Sequence, residues 1–500
     1  MLPRLRHAGC LLFVTLTACA VKLTDRFDAA TNGDVTGVPA NCAAATGIEP
    51  GGAPGGEAAP KLVGRFSQVD EAGKPLASAR FDWSGNYISA RFQGTDRITV
   101  KLLLQGQPTA NPNVPLLQDL LFEFVLDGVA TTRQITVTAD AAGKPTLTAQ
   151  ESYDIAVDPN VPHELVVHRN TEAQKGIITF NGFDLHGGAY LQPVRRPRRI
   201  EFIGDSITCG YGLLGGNATC PFEIPVRTLT DPTTGEPVID PVTNRPVTVD
   251  VPVTESQYLA YTSQTARNLD ADAVTICWSG KGVWKNLRDA YTPDANGVQA
   301  VDEKIADNAT IPELWGAGSQ RLPDVPGRTL ATDDAGPAWD FAKEKPEEVP
   351  QVVVVNLGTN DFSRDARAND GTVGPSGHAE PDNIPDGDLD RVDQLEDFFQ
   401  TYLRFVQKIR LRRPNAHIFL ATPPMVSDQY PLLNARAHLK AILLRIVEEM
   451  QKVGDAKVYK LDLVEQGTRY GLACDYHPNQ EVHRLMAEQL TGAIKTKTCW

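Results

Sequence analysis

The chain has 500 residues, of which 41% are hydrophobic, enough for more than one domain with a sizeable core. Its formal net charge of −14 sets it against a phosphate backbone and excludes nucleic acid as a partner. Neutral or acylated substrates remain compatible with that balance.

Arg4, Arg6 and His7 precede a short apolar run from Ala8 to Leu16. The run is too short to span a bilayer, so 1–19 reads as an export signal. It closes on Leu16-Thr17-Ala18-Cys19, which resembles the bacterial lipobox, whose cysteine takes lipid and becomes the first mature residue. The alternative is an ordinary signal with an incidental cysteine. Ala20 after Cys19, rather than Asp, implies by the same resemblance the outer membrane of a Gram-negative cell. The expected location is exported and lipid-anchored to the cell envelope, with the membrane a partner only through that anchor. Residues 20–60, rich in Gly, Ala and Pro, read as a flexible tether. Export allows Cys42, Cys209, Cys220, Cys277, Cys474 and Cys499 to pair. Cys209 and Cys220 flank a glycine-rich stretch and are the first candidates for a local disulfide; their spacing is not that of a zinc site.

From 61 to 193 the pattern is β. Short runs at 79–83, 87–92, 97–104, 121–128, 134–139, 163–170 and 176–185 alternate apolar and polar residues between Gly, Asn, Asp and Pro. This spacing predicts a β-sandwich of jelly-roll type, with nothing in catalytic spacing. After Arg195-Arg196-Pro197-Arg198-Arg199 the pattern changes. Apolar strands are expected at 198–204, 272–278, 351–358, 416–422 and 457–463, and helices at 392–409, 434–450 and 481–494. Uninterrupted apolar strands alternating with helices predict a five-stranded parallel sheet covered on both faces, an α/β/α domain over 198–500. Its active site is expected at the carboxyl ends of the strands. Three polar stretches near 213–254, 291–348 and 363–390 read as loop insertions, either shaping a substrate groove or decorating the surface.

Four motifs carry the chemistry, each at the end of a predicted element. Gly204-Asp205-Ser206 follows the first strand and offers a serine hydroxyl at a strand-to-helix turn; on its own it also reads as a helix cap. Ser279-Gly280-Lys281-Gly282 offers a backbone N–H unobstructed by a side chain, or a plain turn. Gly358-Thr359-Asn360-Asp361 offers a side-chain amide to a developing oxyanion, or an Asn/Asp turn. Cys474-Asp475-Tyr476-His477-Pro478-Asn479 precedes the last helix and offers an imidazole base.

In their order along the chain these blocks resemble the SGNH (GDSL-like) hydrolase family. The resemblance implies Ser206 as nucleophile, His477 as general base, and Ser206 N–H, Gly280 and Asn360 as the oxyanion hole, with no metal or organic cofactor. A β-sandwich ahead of IEFIGDSITCGYG, with WSGKGV at 278–283 and the DYHPN ending, is similar to carbohydrate esterase family 2. That implies an acetyl esterase acting on an acetylated polysaccharide or oligosaccharide of the xylan or mannan type. One position departs from the family. The Asp usually three residues before His is Cys474 here, so either Asp475 completes the triad or a backbone carbonyl orients the imidazole. Tyr211, Trp278 and Trp284 are candidate sugar-stacking rings, with burial in the core as the alternative. Two other functions stay open: a lipase or lysophospholipase of the same superfamily, and a non-catalytic carbohydrate-binding envelope lipoprotein.

Overall fold

The computed structural model describes residues 57–500 apart from 70–74, 106–118, 140–147, 221–226, 241–243, 250, 288–308, 319–324, 333–335, 364–391, 430–431 and 468. The expected signal, Cys19, the tether as far as residue 56 and the stretch 363–390 after its first residue therefore lie outside the described residues.

The N-terminal part is a jelly roll of two antiparallel sheets. One runs Lys61–Val63, Tyr87–Gln93, His163–Arg169, Leu120–Leu126, Val129–Ile135. The other runs Ser67–Val69, Pro75–Phe81, Ile177–Asp184, Arg97–Gln105, Thr148–Ala156. Take the eight strands from Pro75–Phe81 to Ile177–Asp184 in chain order. One sheet then holds the first, eighth, third and sixth, and the other the second, seventh, fourth and fifth. That is the double Greek-key order of a jelly roll. Alternate residues such as Ile88, Ala90 and Phe92 or Ile98, Val100, Leu102 and Leu104 point inward and close one core. Sequence patterning missed Thr148–Ala156 and the start of Val129–Ile135. Both are sheet edges; 129–133 are exposed, so no apolar alternation is imposed there, while Thr148–Ala156 turns only Ala149, Tyr153 and Ile155 to the core, with Glu151 interrupting the apolar pattern.

The C-terminal part has one parallel sheet in the order Ala271–Cys277, Arg198–Gly204, Val352–Asn356, His417–Thr422, Val458–Asp462. The chain reverses direction of winding beside Arg198–Gly204, which makes the crevice between that strand and Val352–Asn356 the place where a ligand is expected. Ile203, Val353, Val355, Ile418 and Leu420 face helices Val392–Arg412 and Ala435–Lys452. Ile200, Phe202, Val352, Val354 and Phe419 face helices Tyr261–Asn268 and Gln480–Thr498. Alternate strand residues thus serve opposite layers.

The stretches expected as loop insertions do structural work where they are described. Leu229, Val238 and Val249 join the jelly-roll core, and Arg227 Nε donates to the buried Asp119 at 2.8 Å. Helix Ile311–Trp315 is buried in the core of the parallel-sheet domain, with Trp315 Nε1 donating to Glu201 at 3.0 Å. The two domains share a polar and apolar interface. Trp83 and Ala173 of the jelly roll sit in the core of the parallel-sheet domain. Arg65, 1% exposed, donates to the carbonyls of Trp315 and Arg328 at 3.1 and 2.9 Å.

Candidate active site

The nucleophile block begins where the strand Arg198–Gly204 runs into a four-residue helix, Ser206–Cys209. Gly204 is obligatory there, because a Cβ would lie 1.9 Å from Thr208 Oγ1 and 2.9 Å from the Asn356 carbonyl. Asp205 caps the helix, its Oδ1 accepting from Ile207 N–H at 3.0 Å. Burial pushes the Asp205 carboxyl up to about 7. Ser206, at the first helical position, has no carbonyl four residues back for its N–H to meet.

His477 Nε2 lies 2.9 Å from Ser206 Oγ. The other imidazole nitrogen, Nδ1, lies 2.9 Å from the backbone carbonyl of Asp475, which fixes the tautomer: Nδ1–H donates and Nε2 accepts. The Asp475 carboxylate does not face the imidazole. It accepts from Tyr211 O–H at 2.7 Å instead. Of the two alternatives, the structure brings the peptide oxygen of Asp475 to the imidazole and turns its carboxylate away, against the triad reading of that side chain. The turn that allows this is unusual, since Asp475 and Tyr476 both sit at positive φ, 50° and 59°. The Tyr211 ring packs against the imidazole with centroids 4.4 Å apart. Enclosure pushes the His477 pKa down to about 4, the hydrogen bonds to Asp475 and Cys474 only partly opposing it. The imidazole is therefore unprotonated throughout the neutral range, with Nε2 free to accept a proton.

The expected Cys209–Cys220 disulfide does not form. Cys209 pairs with Cys277 and Cys220 with Cys474. Sequence proximity was a poor guide, because the sheet brings the helix after the first strand against the end of the neighbouring strand. The first bond ties the nucleophile helix to the strand that leads into the glycine loop. The second ties the histidine loop to the segment after the nucleophile. Gly215 leaves room for it: a Cβ there would lie 2.3 Å from Cys474 Sγ and 2.6 Å from Cys220 Sγ. Tyr476 N–H to Ala218 O at 3.1 Å and Cys474 N–H to Gly212 O at 3.3 Å complete the attachment.

Gly280 has φ +77° and follows a strand end that reaches the nucleophile strand, Trp278 N–H donating to Gly204 O at 3.4 Å. Asn360 Nδ2 donates to the Lys281 carbonyl at 2.9 Å and stands 3.5 Å from Asp205 Oδ2. The amide thereby braces the glycine loop as well as reaching the nucleophile block. Asp361, fully buried, accepts from the N–H groups of Val283, Trp284 and Lys285 at 2.7 to 3.1 Å, and burial raises its pKa. It is a fastener for the turn after the glycine loop. Trp278 and Trp284 are each 4% exposed and belong to the core, so neither is a sugar platform. Tyr476, which sequence reasoning passed over, is 57% exposed beside His477; only its adjacency to the histidine could have marked it.

Comparison with known proteins fits this architecture. Residues 200–490 match the model for GDSL-like lipase/acylhydrolase, and residues 62–194 match the carbohydrate esterase 2 N-terminal domain. The chain is 28% identical over 443 residues, 87% of its length, to the cellulase/esterase CelE of Acetivibrio thermocellus. It spans 39% of that protein's length. It is 24% identical to an acetylxylan esterase / glucomannan deacetylase of Cellvibrio japonicus, covering 87% of this chain and 90% of that one. A family two carbohydrate esterase from Clostridium thermocellum, solved in complex with cellohexaose, superposes with a TM-score of 0.60 at 26% identity, over 88% of this chain and 99% of that one. The match extends over more than half of the sequence and takes in all four motif blocks: the chain belongs to the GDSL-like lipase/acylhydrolase family.

Proposed function

We propose that this protein is a carbohydrate esterase that removes acetyl groups from a polysaccharide of the acetylated xylan or mannan type through an acyl-serine intermediate. The observation that carries the reading is the 2.9 Å contact of Ser206 Oγ with His477 Nε2, whose partner nitrogen is held by a carbonyl. Ser206 Oγ attacks the ester carbonyl while His477 Nε2 takes its proton. The oxyanion is met by Ser206 N–H, Gly280 N–H and the Asn360 amide, each worth about 3 kcal/mol of barrier in comparable sites. His477 returns the proton to the sugar oxygen as the bond between that oxygen and the acyl carbon breaks. Water then attacks the acyl-serine, giving its proton to His477, and acetate leaves as Ser206 regains its hydrogen.

The names of the relatives, acetylxylan esterase / glucomannan deacetylase, support the substrate class. So does the exposed Tyr476 ring beside the base, since a flat aromatic face packs against the apolar face of a pyranose. The lipid anchor at Cys19 and a place on the cell envelope belong to the same proposal, as they would hold the enzyme where polysaccharide fragments arrive. Ser206→Ala should reduce acetate release from acetylated xylan, acetylated glucomannan and p-nitrophenyl acetate to the buffer rate. Activity retained in that variant ends the proposal. A preference for long acyl chains over acetate would transfer it to a lipase.

A further inference from the structure

The glycine loop is held from outside its own domain. Ser279 N–H donates to Glu172 Oε2 at 2.7 Å, and Ser279 Oγ–H donates to Glu172 Oε1. Glu172 belongs to the jelly roll, between its strands His163–Arg169 and Ile177–Asp184. It is fully buried at 0% exposure. Gln174 Nε2 adds a bond to Oε2 at 3.2 Å, and Arg169 Nη2 anchors the Glu172 peptide carbonyl at 2.7 Å. A carboxyl group is costly to bury unless its oxygens are satisfied. Here both oxygens are satisfied by one residue of the other domain.

That residue stands next to the amide the chemistry needs. Lys281 N–H donates to Trp278 O at 3.3 Å, closing a turn with Ser279 and Gly280 at its centre. The φ of +77° at Gly280 is the third-position conformation of a type II turn. With Ser279 N–H and hydroxyl both bound to Glu172, the Gly280 N–H has no protein acceptor among the described residues. The peptide that carries that N–H starts from the Ser279 Cα, and the two bonds to Glu172 hold that Cα and the preceding 278–279 peptide in place.

We propose that Glu172 is a positioning residue for the oxyanion hole: by gripping the N–H and hydroxyl of Ser279 it holds the residue from which the peptide carrying Gly280 N–H is aimed at the ester carbonyl. The inference rests on the esterase reading above and extends it, since the jelly roll becomes part of the catalytic device. A second carboxylate crossing the same domain boundary serves as a comparison. Asp82, also 0% exposed, accepts from Ala331 N–H at 2.8 Å and from Thr332 N–H and Oγ1 at 2.9 and 2.8 Å. It fastens the two domains without touching the glycine loop.

The test uses the full chain with p-nitrophenyl acetate, active sites being counted by the burst of nitrophenol. Glu172→Ala should lower kcat per active site by about tenfold to a hundredfold, with KM changed less than about threefold. Inhibition by methylboronic acid, which mimics the tetrahedral adduct, should weaken in parallel. Glu172→Gln, which keeps one acceptor oxygen, should recover part of the loss. Asp82→Asn should lower the melting temperature and leave kcat per site unchanged. If Glu172→Ala does not fold, Ser279→Ala, which deletes only the hydroxyl, should still cut kcat several-fold. The proposal is overturned if Glu172→Ala, or Ser279→Ala in its place, keeps kcat and boronate affinity within about twofold of the parent. It is also overturned if Asp82→Asn loses as much kcat as Glu172→Ala. A parent enzyme whose activity survives Ser206→Ala would instead overturn the underlying esterase reading.

Discussion

The two loops that face Ser206 are held in opposite ways. The histidine loop lies near the surface, with Asp475 and Tyr476 exposed, and is fixed by its own backbone, a carbonyl on Nδ1 and two positive-φ residues, together with a disulfide to the 210–220 segment. The glycine loop is enclosed and is fixed by side chains from elsewhere, Glu172 on Ser279, Asn360 on Lys281 and Asp361 on the following turn. The difference has a physical basis. An imidazole needs one acceptor in one direction, which a peptide oxygen supplies without burying a charge. An oxyanion hole needs several N–H groups aimed at one point, and dry carboxylates and amides hold such an array more rigidly than water-exposed backbone.

The contrast can be broken from the buried side first. Asn360→Ala should lower kcat about a hundredfold or more, because it removes both a donor and the brace on Lys281; a loss under tenfold would mean the glycine loop stands without it. On the histidine side, the Cys220→Ser/Cys474→Ser pair should act mainly on stability. The disulfide closes a separation of 254 residues, so its loss should cost about 2–4 kcal/mol in denaturant titration, with a several-fold fall in kcat as the loop loosens. The smallest effect is expected from Asp475→Asn, which keeps the peptide carbonyl and an acceptor for Tyr211. Its kcat should stay within about threefold of the parent, whereas a true triad carboxylate would cost about 10⁴. Its pH profile should match the parent's. The base works only when neutral and its pKa is lowered to about 4, so kcat/KM should be flat from neutrality down to about pH 5 and half lost near pH 4. Stability moves in the same direction. Buried His168 and His483 have folded-state values pushed down to about 3, so the unfolded chain takes up protons first. Folding free energy then declines as pH falls from about 6.5 towards 3.

What sequence made legible follows the same division. Apolar period marked the parallel strands and the long helices, because every residue of Ala271–Cys277 or Val352–Asn356 is buried and most of them are apolar. Motif position at the strand ends brought Ser206, Gly280, Asn360 and His477 to one rim on paper. What stayed hidden depended on contacts between distant segments. The edge strand Val129–Ile135 has no buried face over 129–133 to impose a pattern. The Cys209–Cys277 and Cys220–Cys474 pairings follow from strand neighbours and not from spacing. Glu172 lies in a jelly roll that carries no motif, 107 residues before the serine it holds. The choice between the Asp475 side chain and its carbonyl turned on two backbone angles that no local pattern announces.

The most direct measurement is a crystal structure of the protein after reaction with a methylphosphonate ester that phosphonylates active-site serines. The account predicts phosphorus on Ser206 Oγ, with a phosphoryl oxygen about 2.7–3.1 Å from Ser206 N and Gly280 N. Glu172 should still be on Ser279, and His477 Nδ1 on the Asp475 carbonyl. An adduct on another residue, or a phosphoryl oxygen turned away from Gly280, would contradict it.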